Sequence, residues 1–254
     1  MSLSVVIITK NEEAGIRRCL ESVAWADQVI VLDSASTDRT AAICRELGVQ
    51  VHDSPDWPGF GPQKNRALAL ATGDWILSLD ADEWVSPELR AAIEHSMAAP
   101  GGMAAFMMPR RSTFCGRVMR HSGWWPDYVV RLFRRGSAHF SDDLVHERLI
   151  VDGLVGRLSP PLLHEAVPDL DAMMNKTNSY STASALMLHR KKRRGSLAMA
   201  ILRGLWTFLR TYIFRLGFLD GREGFILAVA NAEGSYYRYL KLMLLSEKAV
   251  NRKS

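Results

Sequence analysis

With 254 residues the chain is long enough for one large domain, or one domain and an appendage, around a sizeable core. Apolar residues at 48% and charged residues at 23% exclude an intrinsically disordered or fibrous chain. The formal charge of +5 favours anionic partners, and three cysteines without paired spacing (Cys19, Cys44, Cys115) exclude a disulfide scaffold.

Along the first hundred residues, strand and helix patterns alternate. SVVIIT (4–9) is a β-branched run, followed by a helical pattern over 12–23. QVIVLD (28–33) is the second strand, and its helix starts near Ser36 and Asp38 and stops at Gly48. A short third strand (49–52) leads through a loop rich in Pro and Gly into the helix QKNRALALA. WILSLD (75–80) is the fourth strand, and SPEL opens the next helix with Ser86 as its cap and Pro87 at its first position. This alternation predicts an α/β fold with a mostly parallel sheet flanked by helices and right-handed crossovers. Ligands of such sheets sit beyond the carboxyl ends of the strands, where Asn11, Asp33, Asp53 and Asp80 all fall.

Residues 103–164 read as short strands and turns, with a hairpin expected at IVDGLV around Asp152 and Gly153. From residue 169 the pattern is helical, so the expected division is 1–168 and 169–254. The N-terminus lacks the basic region and long apolar core of a signal peptide, and no 18 apolar residues run uninterrupted. A cytoplasmic chain without a spanning helix is the expectation.

The stretch LSLDADEWV (77–85) places Asp80, Asp82 and Glu83 directly after an apolar strand. Clustered carboxylates repel one another and are costly to bury, whereas a hard divalent cation seeks such oxygens. Neither GxGxxG nor a P-loop follows the first strand, where TKNEEAG stands instead, so a phosphorylated ligand needs positive charge from elsewhere. A metal held by Asp80 and Asp82 supplies it. A solvated acidic turn accounts for Glu83 but not for carboxylates at three strand ends. Lys64, near the start of its helix, is either a point charge for phosphate oxygens or a solvated lysine on a helix face.

VVIITKNEE, VIVLDSASTDRT, GFGPQKNRAL and DWILSLDADEWV, in this order and spacing, resemble the successive signatures of family 2 glycosyltransferases. The later WWPDYVVRLFRR, LVHERL and GFLDGREG resemble a subgroup, the WaaE/KdtX-type glucosyltransferases of the lipopolysaccharide inner core. The resemblance implies a GT-A fold with a C-terminal helical appendage, and inverting transfer of a sugar from a nucleotide diphosphate. It implies a UDP-sugar donor, UDP-glucose in that subgroup, with Mg²⁺ or Mn²⁺ as cofactor. The acceptor is a lipid-linked saccharide, of the inner core or, alternatively, a polyprenyl phosphate or other lipid-linked glycan. Ala35 departs from the glycine usual in DSGSTD, and the absence of QxxRW argues for addition of a single sugar. Position by position, Thr9, Asn11 and Glu12 would line the base and ribose pocket and Asp33 the uracil edge. Lys64 would sit near the nucleotide, Asp80 at ribose or metal, and Asp82 on the metal, with the DXD spacing. His164 is a candidate further ligand, or an ordinary half-buried histidine.

The acceptor hydroxyl must lose a proton, for which Glu147, His146 and Asp127 are candidates. In LVHERLIV, Glu147 alternates with Val145, Leu149 and Val151 on an apolar face, where a partly desolvated carboxylate is a better base. Asp127 lies in a turn, where Asp needs no function. Trp124 and Trp125 are candidates for stacking on sugar and Arg131, Arg134 and Arg135 for acceptor phosphates, though alternation puts Arg134 opposite the other two.

A nucleic-acid-binding module would use the basic run RKKRR (190–194) but leave the strand-end carboxylates unexplained, so no nucleic-acid partner is expected. A nucleotidyltransferase shares the early fold and is separated by its products. A sugar-nucleotide binder without catalysis would lack a base. At about 100° per residue, Ile201, Leu205, Trp206, Leu209, Tyr212, Ile213 and Leu216 share one helix face. Arg203, Thr207, Arg210 and Thr211 share the other, with Phe214 as the exception. This face either packs on the catalytic domain or lies on an anionic membrane surface, where each basic residue adds about 1 kcal/mol. The second option makes the protein peripheral on the inner face of the inner membrane.

Overall fold

A computed structural model of the chain describes residues 1–141 and 148–251. The chain forms two compact units that interleave in sequence, Met1–Arg111 with Asp127–Glu165, and Ser112–Pro126 with Ala166–Ser254.

The first unit is an α/β layer structure. Its strands are β1 (Leu3–Thr9), β2 (Gln28–Asp33), β3 (Gln50–Asp53), β4 (Trp75–Asp80) and β5 (Glu83–Trp84), interleaved with helices α1 (Ile16–Ser22), α2 (Thr40–Glu46), α3 (Phe60–Ala69) and α4 (Pro87–Ala98). There follow β6 (Ala105–Phe114), β7 (Arg117–Val118), β8 (Asp127–Arg134), β9 (Ala138–Phe140), β10 (Leu149–Val151), β11 (Val155–Arg157) and β12 (Leu162–Val167). Of these, β7 belongs to the second unit, and β6 and β12 begin in the first and end in the second. The sheet order is β3-β2-β1-β4-β8-β6-β12-β5. The β3-β2-β1-β4 part is parallel, as the crossover pattern predicts, and β8 joins it antiparallel to β4. Apolar runs such as LSVVIIT are buried at every position, as strands covered by helices on both faces must be. Ser86 caps α4 through its hydroxyl, which accepts from Leu89 N at 3.2 Å, with Pro87 at the first position.

One sequence expectation fails. β10 and β11 do not form a hairpin with each other: β10 pairs antiparallel with β9, and β11 pairs parallel with β6. Asp152 and Gly153 join two different sheets: β10 satisfies its backbone groups on the strand before it and β11 on a strand some fifty residues earlier.

In the second unit, β7 pairs back on the end of β6, and a small core gathers Phe114, Met119, Val167 and Leu227. Three helices dominate it: α5 (Leu170–Arg190), α6 (Leu197–Leu209) and α7 (Gly221–Asn251). Asp169 and Ser196 cap the first two through their side chains. The α6 spiral continues into a wider π-type turn, Arg210–Phe214, and then a 3₁₀ turn, Gly217–Asp220. The Lys241 ammonium ties α7 to α5 by donating to Asn178, Ser181 and Thr182. The Asp220 carboxylate is buried and accepts from the backbone N–H of Arg120 at 3.1 Å and of His121 at 2.9 Å. Leu197–Phe214 is long and apolar enough to cross a membrane by length and composition. Arg203 and Arg210 interrupt it, so the uninterrupted run of 18 apolar residues is still missing.

Candidate active site

Strand register builds the site. β1 pairs Thr9 with Asp33 on β2, β2 pairs Asp33 with Asp53 on β3, and β1 pairs Ile8 with Asp80 on β4. The candidate residues at the strand ends therefore stand in one row at the carboxyl edge of the parallel sheet.

At one end of that row the loops after β1 and β2 are stitched together. Asn11 adopts a left-handed φ of 56°, its N–H donates to Ser36 Oγ at 2.9 Å, and its Oδ1 accepts from Thr37 N at 2.8 Å. Glu12 N donates to Thr40 Oγ1 at 2.8 Å. The buried Asp33 carboxylate accepts from both the N–H and the hydroxyl of Ser36, three residues on, and so braces the loop after β2. Ala35, where the resemblance leads one to expect glycine, sits at φ 58°, a left-handed conformation that costs an L-residue about 1–2 kcal/mol. Thr9 Oγ1 is buried without a hydrogen-bond partner among the described residues, a polar atom that a bound ligand would satisfy.

In the centre, Lys64 is only 4% exposed, which excludes a solvated lysine on a helix face. Its Nζ lies 2.8 Å from Asp80 Oδ1 and 5.2 Å from the centre of the Phe140 ring. Arg131, on β8, reaches Asp80 Oδ2 from the other side. Burial opposes ionisation of Asp80, but the Arg131 guanidinium and the Lys64 ammonium overcome it and hold the carboxyl well below the usual carboxylate range. Arg131 also lies 2.6 Å from Glu83 Oε1. Burial works against its charge, yet Asp80 and Glu83 raise it further above the ordinary arginine value. Glu83 has no exposed surface; its other oxygen accepts from Asp80 N at 3.0 Å. Arg110 lies 3.3 Å from Glu83 and 2.7 Å from Asp127 Oδ2. The result is one alternating row, Lys64, Asp80, Arg131, Glu83, Arg110, Asp127, in which each buried charge has an opposite partner.

Asp82 stands outside that row. Its backbone carbonyl accepts from Glu165 N at 3.0 Å, which docks β12 against the turn and sets His164 Nε2 3.3 Å from Asp82 Oδ2. Among the described residues no three His, Cys, Asp or Glu side chains converge as a metal cage. A carboxylate and an imidazole side by side nonetheless fit a Mg²⁺ or Mn²⁺ ion, which commonly takes one or two protein ligands and completes its shell with phosphate oxygens and water. Both oxygens of Asp80, the other metal-ligand candidate of the sequence, face cations, Lys64 and Arg131.

Glu147 and His146 lie outside the described residues. Asp127 is described, and its Oδ2 accepts from both Nε and Nη2 of Arg110. Of the three arginines of RLFRR, only Arg131 is at this edge. β8 runs antiparallel to β4 and pairs Arg134 with Trp75, at the opposite end from Asp80, and Arg135 Nε donates to Gly73 O at 2.9 Å. Trp124, in the second unit, packs edge-on against Phe114 at 5.9 Å as part of a core.

Sequence reasoning missed Arg110, left Glu83 to a solvated acidic turn although it is fully buried, and gave Arg131 to acceptor phosphates whereas it pairs with Asp80 and Glu83. A signal existed for Arg131, a lone charge within the apolar run YVVRLF, since a buried charge demands a partner.

Residues 4–150 match the sequence profile of glycosyl transferase family 2. The lipopolysaccharide core biosynthesis glycosyltransferase LpsC of Rhizobium meliloti is 32% identical over 257 residues, covering 94% of this chain and 90% of the relative. An uncharacterized glycosyltransferase of Rickettsia typhi is 30% identical over 261 residues, covering 98% of this chain and 89% of that one. Among solved structures, Staphylococcus aureus TarS 1–349 in complex with UDP-GlcNAc aligns with a TM-score of 0.50 at 16% identity, covering 98% of this chain and 92% of that one. That likeness supports the GT-A fold. The chain belongs to glycosyltransferase family 2, and it is an enzyme of the GT-A fold with C-terminal helices.

Proposed function

We propose that this enzyme is an inverting, divalent-metal-dependent transferase that moves glucose from UDP-glucose onto an acceptor of the lipopolysaccharide inner core. It would work at the cytoplasmic face of the inner membrane, against its anionic surface. The observation that carries this reading is the Asp82–His164 pair beside a row of strand-end residues that includes Thr9, whose buried hydroxyl has no partner among the described residues. The LpsC relative, whose name assigns it to lipopolysaccharide core biosynthesis, supports the acceptor class.

Bound at Asp82 and His164, Mg²⁺ or Mn²⁺ would act as a Lewis acid on the departing diphosphate. The protein's own residues do the rest. Thr9 Oγ1 offers its hydroxyl to the nucleotide, and Asn11, Glu12 and Asp33 hold the two loops that frame the base and ribose pocket. Lys64 and Arg131 fix the Asp80 carboxylate from both sides, so that it meets the ribose in one orientation. Glu147 is the proposed base that takes the proton of the acceptor hydroxyl. Asp127 is the weaker candidate, because its charge is committed to Arg110.

The test is a donor screen that follows UDP release with and without divalent metal, using purified lipopolysaccharide core acceptors. UDP-glucose turnover that requires both metal and core acceptor is expected, and Asp82→Asn should abolish it with little loss of stability. Full activity in excess EDTA would refute the metal assignment. Transfer to polyprenyl phosphate, with none to the core, would replace the acceptor.

A further inference from the structure

Helix α6 carries its bulky apolar side chains on the side turned away from its own unit. The packed side consists of small groups, with Ala200, Gly204 and, in the π-type turn, Thr211 buried. A Cβ at Gly204 would lie 3.3 Å from both Ala232 O and Tyr236 Cβ, so glycine there lets α6 approach α7 closely. On the outer side Ile201, Leu202, Leu205 and Trp206 each leave more than half of their surface exposed. An amphipathic helix of a soluble domain does the reverse. A regular wheel puts Phe214 with the polar residues. The wide turn Arg210–Phe214 slips that register, and the Phe214 ring is exposed, with its centre 5.7 Å from that of Trp206.

Charge identifies what covers this strip. Arg190 to Arg194 are all exposed immediately before the Ser196 cap, and Arg203 and Arg210 are exposed beside the apolar side chains. Between residues 190 and 219 the sequence has no Asp or Glu. A second copy of the chain would bring like charges together, whereas a bilayer bearing anionic headgroups meets both the hydrocarbon and the arginines. The two mid-helix arginines and the close packing of α6 on α7 oppose insertion across a membrane.

We propose that the outer face of α6 and its π-type turn is a docking surface that lies in the plane of an anionic membrane, with its side chains among the acyl chains and its arginines at the headgroups. This rests on the reading of a lipid-anchored acceptor for its purpose, though not for its geometry.

To test it, the full chain is pelleted with sucrose-loaded vesicles of phosphatidylethanolamine and phosphatidylglycerol, or of phosphatidylcholine alone. Co-sedimentation at least ~10-fold stronger with the anionic vesicles is expected. The triple variant Leu202→Ser, Leu205→Ser, Trp206→Ser should lower it by ~10-fold or more. Replacing the five basic residues 190–194 by Gln should erase the preference for anionic lipid, and alkaline carbonate should strip the bound protein. Equal pelleting of parent and triple variant overturns the proposal. So does resistance to carbonate, which marks a spanning helix, or a dimer that the triple substitution dissociates with no vesicle binding by the parent. Turnover on a delipidated, water-soluble core oligosaccharide should be the same for the triple variant and the parent. If vesicle binding behaves as expected and neither protein uses that oligosaccharide, the acceptor reading fails and the docking surface stands.

Discussion

Glu83 and Leu202 occupy each other's usual places. In the first unit a carboxylate has no exposed surface, and in the second a leucine is 65% exposed. The costs differ in kind. Glu83 is tolerable only because Arg131 and Arg110 flank it, so its burial fixes the geometry of Asp80 next to it. Leu202 has no such compensation within its own unit, so its exposure points to a partner outside the protein. In both units the departure from ordinary burial, rather than the ordinary core, marks where function is to be sought.

Breaking the first half of this contrast should have the largest effect. Arg131→Met leaves Glu83 buried with one cation fewer, and a loss of about 3–5 kcal/mol in urea unfolding is expected. Adding Glu83→Gln to that variant should restore part of the loss, and strict additivity of the two substitutions would show that the pair is not coupled. On the catalytic side, Glu147→Gln should keep UDP-sugar binding while turnover falls roughly 10²-fold. If turnover stays near the parent's while Asp127→Asn is inactive, the base is Asp127. A smaller gain comes from Ala35→Gly, which relieves a left-handed alanine and should stabilise the fold by about 1 kcal/mol in thermal unfolding. Smallest of all, Leu205→Ser should shift stability by no more than about 0.5 kcal/mol, because its side chain already faces outward. A loss of several kcal/mol there would mean that the apolar face of α6 is part of a core after all.

Much of the first unit was legible in the sequence. β-branched runs ending in Asp33 and Asp80, with helical patterns between, carry the period and punctuation of a parallel sheet. The carboxyl ends of those strands were also readable, and with them the positions of Asn11, Asp33, Asp53 and Asp80. The partnerships were not. That Lys64 meets Asp80, and that Arg131 bridges Asp80 and Glu83, depends on contacts between residues 16 to 51 positions apart, which no local pattern records. The β10–β11 hairpin was misread because Asp-Gly is a strong turn signal, whereas strand partners are chosen by the whole sheet. For α6 the wheel found the apolar face but could not tell which side would be packed. That was decided by Gly204, whose missing side chain leaves room for α7.

The Asp220 carboxylate sets an order of events during synthesis. It accepts from Arg120 and His121, residues 100 and 99 positions earlier. At about 5–20 residues per second, the segment around Arg120 is synthesised some 5–20 s before its acceptor exists. Until then those amides are served by water or by whatever else meets them. Nascent chains stopped before Asp220 should therefore show fast hydrogen exchange at Arg120 and His121, although every residue of that segment has already been made.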